Sequence, residues 1–398
     1  MGILIRKQNG IYGATPIAKL SIIGLIVSIS AAYVNTIWAI YLDSFLNNLA
    51  FVGFFSAGLT IVSFFSYFLI IPIIEKYDKG KIYLYSLFMF VITYVLFALN
   101  KNFYLFLFLA VIMTILFALK ITSFGILIRD SSKNKKVSSS EGLVYTFVNV
   151  AWVVGPLIAG FVSAELGINW VFLLSAAFMF FGLIMFKFSK IKDTNGKKRV
   201  DGSMVRNFLD FFKDKDRTIA YILKGGVNVW WSFIYLFIPL MIIREGLGEL
   251  WIGYFLFGAA VPLILFEYKF SSWAEKKGFK GVFKVGYLIP SILALACFFI
   301  PGIHLKLLLL VLASVGLAML EPTTEAYFLD NLKAKERYRF YGPYNTSIDL
   351  GNFALKILAS IIILFLPFRY IFLLASALMF SFFLLSFKIK NIVESKRK

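Results

Sequence analysis

The sequence predicts an all-α integral membrane protein with twelve transmembrane helices, built as two six-helix parallel repeats. Three observations predict it. First, 60% of the 398 residues are hydrophobic, against about 45–50% in an ordinary soluble domain, and they fall in long runs. A run of about 20 residues crosses about 30 Å of hydrocarbon as a helix. Second, the Lys and Arg residues sort to one side of those runs. Third, the second half of the chain repeats the first at a fixed offset of 200 residues.

The runs place spans at Leu20–Tyr41, Ala50–Ile74, Ile82–Leu99, Phe103–Ile128, Leu143–Val162 and Trp170–Phe186. A second set follows at Ile219–Ile243, Leu250–Phe266, Val282–Ile300, Leu305–Leu329, Tyr341–Leu366 and Tyr370–Phe387. The sequence therefore divides into an N-terminal six-helix bundle, 1–188, a polar linker, 189–217, and a C-terminal six-helix bundle, 218–398. The linker is rich in Lys, Asp and Gly, which reads as a loop. Its later part carries Met204, Phe208, Phe211 and Phe212 with charges between them. That pattern suits a short amphipathic helix on the membrane surface or a plain solvated loop.

A net charge of +20 in a soluble protein points to nucleic acid. Here position decides against it. Only Lys101, Arg244, Lys306 and Arg369 fall on one side of the spans, and Lys120, Lys224 and Lys356 fall within them. Nearly all the rest lie on the other side, which the positive-inside rule makes cytoplasmic. Both termini and the linker are then cytoplasmic in a multi-pass plasma-membrane protein, and the basic surface attracts anionic lipid headgroups. Arg6 and Lys7 precede a span too long for a signal peptide, so the first helix is expected to stay as an anchor. Cys297 is the single cysteine and His304 the single histidine. An internal disulfide is impossible, and no metal site or cofactor is expected.

The repeat is clearest where Val171–Phe180 reappears as Ile371–Phe380. The same offset pairs Gly53 with Gly253, Gly58 with Gly258, Glu75-Lys76 with Glu275-Lys276, and Asp130 with Asp330. Matching charged loop positions and glycines at one ungapped offset is hard to obtain by chance. Six spans per repeat is an even number, so both copies enter from the same side.

The loop after the eighth span reads Ser271-Ser-Trp-Ala-Glu-Lys-Lys-Gly-Phe-Lys280. It resembles the loop signature Gly-x-Leu-Ala-Asp-Arg-x-Gly-Arg-Arg of the major facilitator superfamily, with Glu275 at the acid, Lys276 at the base and Gly278 at the turn glycine. The first-half copy, Pro72–Lys81, is looser: it supplies Glu75, Lys76 and Gly80, with extra residues before the glycine. Span five carries Gly155, Pro156 and Gly160 in Gly-Pro-Leu-Ile-Ala-Gly, similar to the Gly-Pro-x-x-Gly-Gly signature of the drug/proton antiporter branch. The resemblance implies a secondary active transporter, monomeric and without enzyme activity, moving a small molecule by alternating access. It further implies proton coupling and efflux, a charge latch in the loops, and spans three, six, nine and twelve as outer supports.

Charge deep in a span is costly and marks function. Six such residues occur: Lys120, Lys224, Glu321, Glu325, Asp349 and Lys356. None lies in spans three, six, nine or twelve away from their ends. Counting residues puts Glu321 about 13 Å, Asp349 about 12 Å and Lys120 about 15 Å from the inner boundary, near the depth of transporter sites. Asn345, Asp349, Asn352 and Lys356 form one helical stripe. Asn149 lies in the offset-related stripe of span five, Asn228 and Trp231 share a face in span seven, and Asn35 lies in span one. These residues are the candidate substrate and proton site, with Asp349 or Glu321 as proton carrier. Static bridges that hold helices together remain an alternative for them. So do two other functions: a membrane enzyme acting on lipid-linked substrates, and a relative of the fold that does not transport.

Overall fold

The structure is a computed structural model and describes residues 5–8, 11–132, 137–189, 191, 204–332 and 334–390. Among these it is nearly all helical. A β-hairpin pairs β1 (Ile5–Gln8) with β2 (Ile11–Ala14), Ile5 opposite Ala14. Then come α1 (Pro16–Leu46), α2 (Leu49–Lys76), α3 (Lys79–Leu99), α4 (Phe103–Ser131), α5 (Val137–Leu166) and α6 (Ile168–Ser189). After the short α7 (Met204–Phe211) follow α8 (Lys215–Ser232), a π-helical turn (Phe233–Phe237) and α9 (Ile238–Arg244). The rest are α10 (Glu249–Lys277), α11 (Phe279–Phe299), α12 (Ile303–Asp330), α13 (Ala334–Asn345), α14 (Ser347–Phe365) and α15 (Tyr370–Ser386). Among the described residues, 11 helical stretches are long and apolar enough to cross a membrane; Tyr370–Ser386 is apolar but shorter.

Polar residues stop and start these helices. Asp78 caps α3 by accepting from the Lys81 amide at 2.8 Å. Asn102 caps α4 by accepting from the Tyr104 and Leu105 amides at 2.9 and 3.0 Å. Asp214 caps α8 through the Arg217 amide at 2.9 Å. Each bond satisfies a donor that the first helical turn leaves open.

The repeat is visible in the elements. α3 and α11 begin at Lys79 and Phe279 and end at Leu99 and Phe299, while α4 and α12 begin at Phe103 and Ile303. α3 packs on α4 and α6, as α11 packs on α12 and α15.

Contacts divide the chain into two compact units. The first is Met1–Tyr41, Val62–Val200 and Gly248–Tyr254; the second is Leu42–Ile61, Asp201–Leu247 and Phe255–Lys398. In the first unit Tyr41 packs edge-on against Phe97, Phe106 and Phe172, and its hydroxyl donates to the Phe97 carbonyl at 3.0 Å. In the second, Tyr327 packs against Phe279 and Phe283.

Two helix crossings are so close that only small residues fit. In the second unit Gly53 on α2 lies against Ser360 on α14. In the first unit a Cβ on Gly160 of α5 would sit 2.8 Å from the Gly253 Cα. The same offset of 200 residues converts one pair of positions into the other.

Two spans depart from plain helix. In span seven Pro239 has no N–H to give, and the chain widens into the π turn just before it, as proline demands of the preceding turn. Span eleven is interrupted at Thr346, so the predicted stripe from Asn345 to Lys356 is split between α13 and α14. Pro343 lies one turn before the break, inside α13. The Thr346 amide then bonds back to the Pro343 carbonyl at 3.2 Å.

The amphipathic part of the linker is α7, and it packs on protein. Phe211 is fully buried among Tyr221, Phe328 and Phe340. Asn207 accepts from Arg339 Nε at 2.7 Å, and Asp210 pairs with the same guanidinium. Most of the 189–203 stretch lies outside the described residues.

Candidate functional site

Charged and aromatic groups converge inside the second unit. Glu321 stands half-buried on α12, just before Pro322. Trp231, near the end of α8, donates its indole N–H to Glu321 Oε2 at 2.9 Å. Tyr235 lies one turn on, in the π turn, with its ring 5.8 Å from that of Trp231. One turn beyond Glu321, Glu325 Oε1 accepts from the Tyr341 hydroxyl at 2.7 Å, and Tyr344 donates to the Thr324 carbonyl at 3.0 Å. Each carboxylate thus receives an aromatic donor, which a carboxylate in a span requires.

The break in span eleven sits beside this face. The Thr346 hydroxyl donates to the Pro343 carbonyl at 2.7 Å, so the Tyr221 hydroxyl, 3.0 Å away, donates to it. Asp349 follows in the first turn of α14 and is buried. A carboxylate is favoured there by the open amides of a helix start. Asn345, the last residue of α13, is half-buried. Seven residues after Asp349, Lys356 turns to α2: its ammonium donates to Thr60 Oγ1 at 2.9 Å and to the Ser56 carbonyl at 3.4 Å.

The other predicted residues lie apart from these contacts. Asn228 donates to the Lys224 carbonyl on its own helix at 2.9 Å, and Lys224 is buried. Lys120 is buried in the first unit, its ammonium 5.1 Å from the Phe90 ring centre and 4.9 Å from that of Phe117. Among the described residues, cation–π attraction stands there in place of a counter-charge. In the same unit Asn35 is half-buried and Asn149 exposed.

A model of the Major Facilitator Superfamily matches residues 20–354. The chain belongs to the major facilitator superfamily. No curated protein matches it in sequence. Solved structures match it in fold. A mutant of the nucleoside transporter NupG superposes with a TM-score of 0.77 at 12% identity, covering 94% of this chain and 100% of that one. A POT family transporter in complex with a thioalcohol-conjugated peptide gives 0.75 at 12% identity, over 92% of this chain and 94% of that one. A D-xylose–proton symporter gives 0.74 at 12% identity, over 96% and 98%. At such identities the likeness is one of fold.

The superfamily loops turn differently in the two copies. Gly278 has φ +91° and caps the start of α11, a conformation suited to glycine. The offset of 200 residues pairs it with Asp78, which caps α3, while Gly80 lies buried within the first turn of that helix. The first loop therefore has no extra residue; an Asp cap replaces the turn glycine, and Gly80 does not serve as one. Glu275 and Lys276 are exposed in the last turn of α10, and the Lys76 ammonium lies 5.4 Å over the Tyr77 ring. The Glu75 side chain lies outside the described residues. In the span-five signature, a Cβ on Gly155 would meet Ala32 Cβ at 2.6 Å, and the Pro156 carbonyl lies 2.7 Å from where a Cβ on Gly253 would stand.

Sequence reasoning missed three features. Glu267 is a half-buried carboxylate on α10, close enough to Glu321 for the two charges to interact. Ending span eight at Phe266 hid it, whereas α10 runs 29 residues. Ser56 and Thr60 were passed over because a serine carbonyl and a threonine hydroxyl leave no mark on hydropathy. The α7 contact with Arg339 joins residues more than 120 positions apart, and no local pattern reports that.

Proposed function

We propose that this superfamily member is a secondary active transporter that moves a small molecule by alternating access, coupled to protons and directed outward. The bundles 1–188 and 218–398 are the moving halves and 189–217 is their cytoplasmic linker, with both termini also cytoplasmic. The observation that carries this is the Trp231–Glu321 bond inside the spans. A carboxylate inside a span is costly unless it is used, and one bonded to a neutral donor can take a proton or a positively polarised substrate group. Asp349 at the start of α14 is the second acid of the site. The aromatic rings of Trp231 and Tyr235 beside Glu321 supply apolar surface for the substrate body. Glu275 and Lys276, with Glu75 and Lys76, act as the loop latch.

Reconstituted protein under an imposed pH gradient tests this. Glu321→Gln and Asp349→Asn should abolish gradient-driven accumulation while sparing exchange, which moves no net proton. If both variants, singly and together, concentrate substrate as the parent does, these acids are structural.

A further inference from the structure

Where the first turn of α3 meets the last turn of α6, the first unit keeps a cleft of about 370 Å³. The two helices pack on each other, and Gly80, Phe186 and Ile191 meet at the cleft: a Cβ on Gly80 would touch the Phe186 ring and the Ile191 carbonyl, each at 3.8 Å. The floor is apolar, from Leu84, Phe186 and Ile191, and the rim carries Lys81 and Lys187. Both lysines are exposed, and neither ammonium has a hydrogen-bond or ion-pair partner among the described residues. Asp78, the acid at the rim, caps α3 by accepting from the Lys81 amide at 2.8 Å. Lys19 adds a third positive charge nearby, donating to the Ser189 carbonyl at the end of α6 at 3.1 Å.

The second copy is built differently at the related place. The offset of 200 residues sets Lys284 opposite Leu84, Phe387 opposite Lys187 and Gly281 opposite Lys81. There the Lys284 ammonium lies 3.8 Å over the Phe387 ring. A cation and its aromatic partner thus stand where the first copy has an apolar floor and an open rim. Farther along the spans from the cleft, Phe88 on α3 and Phe181 on α6 are exposed, and such surface on a span meets acyl chains. The rim itself lies on the side that the positive-inside rule makes cytoplasmic, where the leaflet is anionic.

We propose that this cleft binds one anionic phospholipid of the cytoplasmic leaflet. Lys81 and Lys187 take the phosphate oxygens, since a lysine is a flexible point charge that bonds phosphate without fixed geometry. An acyl chain runs over Leu84 toward Phe88 and Phe181. A zwitterionic headgroup carries its own cation and gains less from the same two lysines. Free phosphate would engage the rim and leave the apolar floor wet. The bound lipid ties the start of span three to the end of span six.

The test uses the full purified chain in a mild detergent. Bound lipid is counted by native mass spectrometry during titration with phosphatidylglycerol or phosphatidylcholine. The parent should hold one phosphatidylglycerol more tightly than any further copy and more tightly than phosphatidylcholine. Lys81→Gln and Lys187→Gln should each weaken that first site about fivefold, and the pair roughly twenty-five-fold. Lys269→Gln with Lys277→Gln, which removes as much charge from exposed positions near the end of α10, should bind like the parent. Leu84→Lys with Lys187→Phe keeps the net charge and installs the residues of the second copy; it should lose the site as fully as the Gln pair does. Parental binding in the Lys81→Gln, Lys187→Gln pair overturns the proposal. Equal weakening in the Lys269→Gln, Lys277→Gln control, or parental binding in the Leu84→Lys, Lys187→Phe variant, overturns it by reducing the effect to net charge. Displacement of the lipid by excess inorganic phosphate overturns it too, because the rim is then a plain anion site. If Leu84→Lys with Lys187→Phe does not fold, the Gln pair set against the α10 control decides alone.

Discussion

The two repeats share a scaffold and differ in chemistry. α3 and α11 start and stop in register, and the close crossings at Gly53–Ser360 and Gly160–Gly253 occupy related positions. Yet the offset of 200 residues places Glu321 opposite Ile121, Glu325 opposite Gly125, Lys224 opposite Gly24, Trp231 opposite Ala31 and Lys356 opposite Pro156. The second copy holds acids, their aromatic donors and two lysines. The first keeps Lys120 alone between two phenylalanine rings. Packing geometry has been kept in both copies because a helix crossing tolerates few side chains, whereas one charged site serves a whole transporter.

Substitutions can break that comparison, beginning with the shared scaffold. Gly160→Val should be the most damaging, because its Cβ would meet backbone: the Gly253 Cα at 2.8 Å and the Glu249 carbonyl at 3.0 Å. Backbone cannot step aside, and overpacking costs about 1–3 kcal/mol or more. Melting in detergent should fall sharply, while Gly58→Ala, with nothing within 4 Å of the added methyl, should melt like the parent.

Next in size is Trp231→Phe, which removes the indole donor from Glu321. Loss of one bond to a charged group costs about 1.5–3 kcal/mol, so transport at limiting substrate should fall about tenfold or more. Unchanged transport would detach Glu321 from the site.

Lys120→Met sharpens the contrast from the other copy. It replaces a buried cation with an apolar chain of similar length in an aromatic setting. Such replacements are often neutral or stabilising. Flux should be retained and the melting temperature unchanged or raised; loss of flux would place chemistry in both copies.

The smallest effect concerns α7, which has no counterpart among the described residues of the first copy. A hydrogen bond from Lys213, then the charges of Lys213 and Arg339, hold the Asp210 carboxyl below the ordinary carboxylate range. A depressed folded-state value adds stability above the ordinary value of about 4 and loses it as pH falls through the lower one. Hydrogen exchange of the α7 amides, taken relative to the intrinsic rate at each pH, should therefore be flat from about pH 5 to 8 and quicken only below about pH 4. Asp210→Asn should quicken it modestly at neutral pH.

By itself the sequence determined the class of the protein and its doubling. Runs of about 20 apolar residues define spans because lipid offers the backbone no partner but itself. One offset aligns Glu75-Lys76 with Glu275-Lys276, and it also pairs Asp78 with Gly278, the two caps that start α3 and α11. The costly charges were legible too, since any Glu or Lys within such a run stands out. Their partners were not. The sequence grouped Lys120 with the acids, but tertiary structure set it between Phe90 and Phe117. It aligned Lys356 with Asp349, but packing turned the ammonium to Thr60 and Ser56, almost 300 residues away. Periodicity reports which face of a helix a residue occupies. Which neighbour that face meets depends on how helices distant in sequence pack, and only the tertiary structure decides that.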